Sequence, residues 1–317
     1  MAKTFGEAER HILELFKPNA IFHYDGNEYT VLKSGKPTCS NGEPKTDIYV
    51  CAKDLFQNNR EFKISFKKEN ADFLENKTNA QRAAQLFGEH WDTIISESTS
   101  SLKNRFEERM LIYKEKLGRT ERGAITLGWK FELLNVASGN LSGTMQLTKE
   151  QVVDVYAGTH LSVDKKDATV NGEIIEDSGV ANYILFENQP ISNIQEAVNS
   201  LISIEDYVDQ HPDVYFACKA LNYRTFAEKY DGNRPLAVAV DWSVNNGKLS
   251  YNICYEDPLK HGGDEMANRL KTALNLLKVH TTDDLNESNV EDLSKMHLRN
   301  DVVAKFKCLK HDLLECL

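Results

Sequence analysis

The sequence predicts a mixed fold of the α/β or α+β class, because helix-like and strand-like hydrophobic patterns alternate along its 317 residues. The first observation is an amphipathic helix pattern at residues 4–16, followed by two strand patterns within residues 44–68. The second is a series of strand patterns with turn signals between residues 124 and 255. The third is a later amphipathic helix pattern at residues 265–279.

The first predicted element is a helix from Thr4 to Phe16. Thr4 is a suitable N-cap, since its hydroxyl can accept a hydrogen bond from the first turn. The apolar side chains recur at helical spacing and define one buried face: Phe5, Ala8, Ile12, Leu15 and Phe16.

Two neighbouring strands are predicted next, over Pro44–Val50 and Glu61–Lys68. Successive side chains of a strand point to opposite faces. Ile64 and Phe66 are therefore expected to face the core. The opposite face then carries Ser65 and Lys67, together with Lys63 and Glu61.

Residues 78–117 are predicted to be helical, with a turn or helix restart at Ser96–Ser101, where hydroxyl side chains compete for backbone hydrogen bonds. A domain boundary is expected near Gly118–Gly123. The sequence thus predicts a core domain at residues 1–120. Residues 121–317 are expected to form a larger mixed α+β region for substrate recognition or assembly.

The second region combines strands and helices. Its predicted strand segments, with Asn171-Gly172 and Asn246-Gly247 as turn signals, are Ile125–Asn135, Gly143–Leu147, Val163–Phe186, Val214–Leu221, Leu236–Trp242 and Leu249–Tyr255. Its predicted helices are Thr148–Tyr156, Asn193–Gln210 and Glu265–Val279.

Charge is distributed unevenly along the chain. The formal net charge is −10, which argues against a protein that coats nucleic acid non-specifically. Residues 1–123 carry 20 basic and 19 acidic side chains, whereas the remainder carries 18 and 29. The near-neutral part of the chain is therefore the part with the strand pair.

Asp47 and Lys67 are the residues that point to chemistry. Asp47 lies at one end of an apolar strand, and Lys67 lies in the neighbouring strand. A carboxylate binds a hard divalent cation through oxygen, and a nearby ammonium can orient a water or stabilise phosphate charge. This is the minimum needed to cut a phosphodiester bond.

Residues 43–68 resemble the core of the PD-(D/E)XK, or restriction-endonuclease-like, nucleases, in a variant with K-T-D-I and I-S-x-K strands. Asp47 matches the metal-binding aspartate of that family, and Lys67 matches its lysine. Ser65 stands where most members carry an acid. The resemblance covers about the first 120 residues. It implies a Mg²⁺-dependent endonuclease acting on DNA, with Mn²⁺ as an alternative ion.

The resemblance leaves the remaining metal ligand open. Some restriction enzymes with an S-x-K strand recruit an acid from the following helix, at the position that Gln81 occupies here. Because Gln81 is neutral, Glu69, Asp72 or Glu75 would have to replace that acid. Glu7, on the first helix, falls where the family often carries an accessory acid. The expected catalytic set is therefore Asp47, Lys67, Ser65 and Glu7, with Asp47, Glu7 and Glu69 as metal ligands.

Three alternatives stay open at this stage. Glu61 and Lys63 also form a literal E-x-K motif, which would shift the site along the strand. Asp47 and Lys67 are also compatible with an ordinary cross-strand ion pair. Thirdly, the neutral Ser65 and Gln81, where acids might be expected, favour a catalytically impaired protein with a nuclease fold that binds DNA or another partner.

A basic and aromatic cluster in the second region is the predicted DNA-contacting loop. Arginine side chains read guanine edges and bind phosphate, and tyrosine can stack on bases or bind phosphate. The candidate nucleic-acid contacts are Lys219, Tyr223, Arg224 and Arg234, with Arg119 and Arg122 near the predicted boundary. An ordinary solvated turn explains the same residues.

Composition bounds location and assembly. There is no run of eighteen apolar residues and no apolar signal region, so a cytoplasmic protein without a membrane span is expected. The six cysteines include no C-x-x-C pair, which favours free thiols. The expected partner is DNA, and a homodimer is expected because one site cuts one strand.

Overall fold

The computed structural model describes residues 4–40, 42–68, 73–76 and 78–298. These residues form helices and strands in mixed order, which confirms the predicted α+β class.

The helices are short, apart from the last. In chain order they are α1 (Phe5–Leu15), α2 (Ala80–Phe87), α3 (Trp91–Ser100), α4 (Lys103–Glu107), α5 (Lys149–Ala157), α6 (Val163–Lys166), α7 (Ile194–Asn199), α8 (Ile204–Gln210) and α9 (Gly263–Leu276).

The strands range from two to eleven residues. Those before residue 145 are β1 (Ile21–Tyr24), β2 (Asn27–Gly35), β3 (Ile48–Asp54), β4 (Asn59–Lys68), β5 (Phe73–Glu75), β6 (Ile112–Tyr113), β7 (Ala124–Leu134) and β8 (Ser142–Thr144). The later ones are β9 (Thr169–Val170), β10 (Glu173–Ile174), β11 (Tyr183–Glu187), β12 (Leu201–Ser203), β13 (Tyr215–Arg224), β14 (Lys229–Tyr230), β15 (Val238–Asn245), β16 (Lys248–Cys254) and β17 (Met296–His297).

The chain divides into two compact units that are interleaved in sequence. The first unit comprises the described residues of Met1–Leu74, Gln85–Gly88 and Gln146–Val214. The second comprises those of Glu75–Ala84, Glu89–Met145 and Tyr215–Leu317. The boundary predicted near residue 120 falls inside the second unit. Residues 146–214, which the sequence assigned to the second region, belong to the first unit.

The first unit is built on a six-stranded sheet in the order β1-β2-β3-β4-β11-β12. The strands β1 to β4 form an antiparallel meander, and β11 then pairs in parallel with β4. One face of this sheet packs on α1 and α7 around a core of apolar side chains that includes Ile12, Phe16, Ile64, Phe66 and Val198. The predicted orientation of β4, with Ile64 and Phe66 towards a core, is confirmed.

The opposite face of the first sheet is covered by helices near β11. Phe186 of β11 lies with its ring centroid 5.3 Å from that of Tyr207 on α8. Tyr207 in turn contacts Tyr156 of α5 at 5.2 Å between ring centroids. The sheet of the first unit is therefore enclosed by helices on both faces near its centre.

The second unit contains a nine-stranded sheet whose main path runs β14-β13-β7-β15-β16. The strand β7 is buried along most of its length, and β13 pairs with it from Tyr215↔Leu134 to Arg224↔Ala124. Helix α9 packs on β15 and β7. Within the described ranges, no helix combines the length and apolar character needed to cross a membrane.

Several predicted elements differ from the structure, since β6 lies within the segment predicted as helix and α6 lies within a segment predicted as strand. The turn and helix restart predicted at 96–101 occur at the end of that segment, because α3 continues to Ser100 and α4 begins at Lys103 after a short turn. Hydroxyls of this segment bond inside the helix, with Ser98 Oγ donating to the Ile94 carbonyl oxygen at 2.7 Å. The predicted strand Gly143–Leu147 is the shorter strand β8, which begins one residue earlier and pairs with β13. The helix predicted over 193–210 is divided by β12 into α7 and α8.

Candidate active site

Asp47 lies immediately before β3 and is held against β4 by two hydrogen bonds. Its backbone N–H donates to the Ile64 carbonyl oxygen at 2.9 Å. Its carboxylate Oδ2 accepts from the Phe66 backbone N–H at 2.7 Å. The side chain is thus fixed at the end of β3. Its carboxylate takes the place of a backbone hydrogen bond between β3 and β4, because β3 begins only at Ile48.

Lys67 of β4 points its ammonium at the same carboxylate. Nζ of Lys67 lies 3.9 Å from Oδ2 of Asp47, and their side chains are 22% and 20% exposed. The structure therefore brings together the two residues that the sequence singled out. The contact is an ion pair between two partly exposed side chains.

Burial dominates the electrostatics of Asp47. It raises the pKa of this carboxyl above its ordinary value, although the Lys67 charge and the Phe66 N–H act in the opposite direction. A second carboxylate, Glu9, raises the Asp47 pKa further, and the Lys36 ammonium lowers it. Two acids and two lysines thus influence one another at this end of the sheet.

Glu9 is the acid on α1 that the sequence reasoning missed. Its residue is 5% exposed, and Oε1 lies 2.8 Å from Nζ of Lys36, which follows β2. Burial lowers the pKa of Lys36, but the hydrogen bond and charge of Glu9, together with the charges of Asp47 and Glu43, outweigh burial and raise that pKa above its ordinary value. The available signal was positional. Glu9 lies four residues after Phe5 and three before Ile12, on the apolar stripe of the helix.

Glu7, the predicted accessory acid, has a different role in the described structure. It is exposed, and its Oε2 accepts from the Thr4 backbone N–H at 2.7 Å in a capping box. That hydrogen bond holds the pKa of Glu7 below its usual range. The Asp47 environment includes Glu9 but not Glu7 among its main electrostatic influences. Glu9 is thus the better-placed acid on α1.

The other predicted acids are Glu69, Asp72 and Glu75. Glu69 and Asp72 lie outside the described residues. Glu75 belongs to the second unit and contacts Arg82, with 3.4 Å between its Oε2 and Nε of the arginine. Ser65 is 2% exposed and pairs with Ile184 of β11 in the middle of the sheet. Its hydroxyl is therefore enclosed, whereas Lys67 reaches the surface.

The alternative E-x-K motif, Glu61 and Lys63, forms a separate cluster further along the same strands. Tyr49 donates a hydrogen bond to Glu61, and Nζ of Lys63 lies 3.9 Å from Oε2 of Glu61. The backbone N–H of Lys63 donates to Asn182 Oδ1 at 2.7 Å. Glu61 is thus engaged by a tyrosine hydroxyl as well as by its lysine.

The predicted nucleic-acid residues all belong to the second unit, and most of them are engaged. Lys219 pairs with Glu132 at 2.7 Å, and Arg224 pairs with Glu121 at 2.9 Å and Asp231 at 2.8 Å. Both lie within β13, so the segment predicted as a loop is strand as far as Arg224.

The remaining three arginines and the tyrosine differ in availability. Arg122 pairs with Asp283 and lies over the Phe226 ring. Tyr223 is 5% exposed. Arg119 is exposed and Arg234 half-buried, and neither side chain has a hydrogen-bond or ion-pair partner among the described residues.

The electrostatic environment of Asp47 includes one other carboxylate, that of Glu9. In the described part of the chain, no group of three or more His, Cys, Asp or Glu side chains is arranged to hold a metal ion. Mg²⁺ is commonly bound by one or two carboxylates, with waters and substrate phosphates completing the shell. Asp47 and Glu9 supply too few ligands for a closed structural metal site, and an Mg²⁺ ion held by them would take its remaining ligands from water or substrate.

Comparison with protein-family models, with curated proteins and with solved structures gives no match for this chain. Its function must therefore be argued from its own residues.

Proposed function

We propose that the chain is a Mg²⁺-dependent endonuclease that hydrolyses phosphodiester bonds of DNA, in the manner of the PD-(D/E)XK nucleases that residues 43–68 resemble. One observation carries the proposal. The ammonium of Lys67 lies 3.9 Å from the carboxylate of Asp47, and both groups reach solvent at one end of the sheet. Mn²⁺ is the expected alternative ion.

The order of elements supports the same proposal. The helix α1 precedes the strands that bear the acid and the lysine, and helices follow them. This is the order in which the resembled core presents its parts. Glu9 strengthens the argument, since it supplies from α1 the second carboxylate that the neutral Ser65 does not.

Each residue has a defined role in the proposed reaction. Asp47 and Glu9 would bind the cation, which supplies Lewis acidity and a more acidic water when bound. Lys67 would hold the attacking water or a phosphate oxygen by its ammonium. Lys36, which pairs with Glu9 at 2.8 Å, would lie within reach of the same phosphate. These cations concentrate favourable charge where the transition state becomes more negative.

DNA contacts in the second unit are a further part of the proposal. Arg119 and Arg234 lack described side-chain partners, so they can bind phosphate without breaking an ion pair. Lys219, Arg122 and Arg224 would first have to leave their carboxylates. Cutting both strands would take two sites, which favours a homodimer, and free thiols in the described chain favour the cytoplasm.

The experiment is a parallel assay of binding and cleavage on one DNA duplex. The nuclease proposal predicts gel-shift binding in the presence of EDTA and strand cleavage when Mg²⁺ is added. Binding without cleavage in Mg²⁺ or Mn²⁺ would indicate a catalytically impaired DNA-binding protein, the alternative that Ser65 favours. Neither binding nor cleavage would exclude both functions.

A further inference from the structure

The strand β16 forms one edge of the main sheet path in the second unit. It pairs with β15 on one side, from Ala239↔Cys254 to Asn245↔Lys248. On its other side, Leu249 exchanges two backbone hydrogen bonds with the 289–291 segment. Its N–H donates to the Asn289 carbonyl oxygen at 2.7 Å, and its carbonyl accepts from Glu291 N–H at 3.0 Å.

The rest of this edge is open in the described part of the chain. Alternate residues of a strand direct their backbone N–H and C=O groups to the same side. The backbone groups of Tyr251 and Ile253 therefore point away from β15, as those of Leu249 do. Neither has a strand partner on that side among the described residues. The open stretch ends at Tyr255, whose carbonyl oxygen accepts from Ser96 Oγ at 3.5 Å. Unpaired outward N–H and C=O groups are a template for another strand.

A groove of about 1050 Å³ runs beside this open edge. Its walls come from α3 and α4 on one side and from the 291–295 segment on the other. Tyr251 OH donates to Asp292 Oδ2 at 3.0 Å, and Tyr255 OH donates to the Lys103 carbonyl oxygen at 3.3 Å. These contacts fix both tyrosines along the groove.

Charge in the groove selects against nucleic acid and for a basic ligand. The ionisable side chains in its lining, apart from the tyrosines and Cys254, are four acids and two lysines: Glu107, Glu256, Glu291, Asp292, Lys103 and Lys295. Phosphates would be repelled by this excess of carboxylates. A peptide bearing lysine or arginine would be attracted to it.

We propose that this groove binds an extended, basic segment of a partner polypeptide, which adds to the sheet as a strand beside β16. Backbone bonds to Tyr251 and Ile253 would set the register of the segment, in the mode known as β-augmentation. Glu256 would bind its basic side chains, and so would Glu107, whose Oε1 lies 3.9 Å from Nζ of Lys103 and would exchange that contact. The groove lining shares no residue with the proposed nuclease site or with the proposed DNA contacts, so the site is independent of the proposed nuclease activity.

The test is fluorescence anisotropy with the full chain and a labelled nine-residue peptide of alternating valine and lysine. Two matched peptides are measured beside it. One has glutamate in place of lysine, and the other has methylated amides on alternate residues, which prevents strand pairing. We expect saturable binding of the lysine peptide and at least tenfold weaker binding of both others.

Charge variants locate the binding on the protein. Replacing both Glu107→Gln and Glu256→Gln should weaken binding about threefold to tenfold, since two partly exposed charge pairs are removed. Glu287→Gln is the control, because Glu287 is exposed and lies outside the groove lining. Circular dichroism of each variant reports whether the fold is retained.

Each other outcome overturns the proposal. Equal binding of the glutamate peptide removes the charge argument, and equal binding of the methylated peptide removes strand addition. An unchanged affinity in the double variant places the peptide elsewhere. If the wild-type chain binds no peptide but forms a dimer that the double variant dissociates, the edge takes a second copy.

Discussion

Replacement of Lys67 by methionine separates catalysis from structure most cleanly. Methionine keeps most of the length of the side chain and removes its charge. A water-orienting ammonium acts mainly in the transition state, so kcat for DNA cleavage should fall by about 10²–10³, the size of effect seen when one stabilising donor is removed. DNA affinity and metal affinity should change little.

The stability cost of this change is expected to be small. At 3.9 Å and an effective dielectric constant of ~20, the direct attraction between Lys67 and Asp47 is about 4 kcal/mol. Desolvation and side-chain entropy offset most of that attraction, because both side chains retain access to water. The net contribution to the free energy of unfolding is therefore about 1 kcal/mol or less. Loss of folding would not explain a hundredfold loss of rate.

Lys63 offers a matched control on the same strand and face. Its ammonium is also 3.9 Å from a carboxylate, that of Glu61, and its side chain is 14% exposed. Lys63→Met should therefore cost similar stability but change the cleavage rate less than about threefold. The assay is single-turnover nicking of supercoiled plasmid in Mg²⁺, with urea unfolding in parallel. An inactive Lys63 variant beside an active Lys67 variant would refute Lys67 as the catalytic lysine and favour the Glu61/Lys63 motif.

Three further predictions concern the acids and the DNA contacts. Asp47→Asn should abolish divalent-ion binding in calorimetry. A variant that binds the ion with the affinity of the wild type would show that Asp47 is not a ligand. Asp47→Asn should also unfold at an equal or higher temperature at pH 7, because burial raises the Asp47 pKa and ionisation in the fold costs stability. This cost of ionising Asp47 in the folded protein appears as pH rises above the unfolded-state pKa of about 4 and is complete above the raised folded-state pKa. The stability gained by Asp47→Asn should therefore vanish below about pH 4. A gain in unfolding temperature that is largest in acid would contradict the raised Asp47 pKa. Glu9→Gln should lower Mg²⁺ affinity at least tenfold and Glu7→Gln less than twofold, as titration calorimetry can show; the reverse order would restore the original assignment. Arg234→Ala should weaken DNA binding and lower the salt slope of binding by about one. Arg224 is already paired with Glu121, so Arg224→Ala should change DNA affinity less. Gel shifts at two salt concentrations measure both effects.

Local signals in the sequence predicted much of the secondary structure. Thr4 and Thr148 begin helices with the capping hydrogen bonds that their sequence contexts suggest. The Asn171-Gly172 turn joins β9 and β10, with positive φ values of 51° and 86° that suit these residue types. These features depend on neighbours a few residues away, which is why a single sequence reveals them.

Distant pairings were beyond the reach of local patterns. The strand β11 joins β4 in parallel from more than a hundred residues away, and this pairing places residues 146–214 in the first unit. The alternating pattern at 64–66 and the apolar run at 183–185 indicate strands but do not show which strands pair. The boundary predicted near residue 120 rested on local composition alone.

The candidate site was predicted in part for the same reason. Asp47 and Lys67 lie close in sequence and on adjacent strands, so alternation along β4 was enough to bring them together. Glu9 and Lys36 reach the site from α1 and from the end of β2. Their proximity to Asp47 depends on how α1 packs on the sheet. The spacing of residues within β3 and β4 contains no information about that packing.

Cleavage of supercoiled plasmid by the purified full chain tests the central claim most directly. Wild type and Asp47→Asn are compared in Mg²⁺ and in EDTA, from parallel preparations. The account predicts nicked and linear DNA only for wild type with Mg²⁺, with the variant at least a hundredfold slower. Equal cleavage by the variant, or cleavage by wild type in EDTA, would contradict a metal-dependent site at Asp47. Intact plasmid in every lane, with Mn²⁺ also tried, would contradict the nuclease function itself.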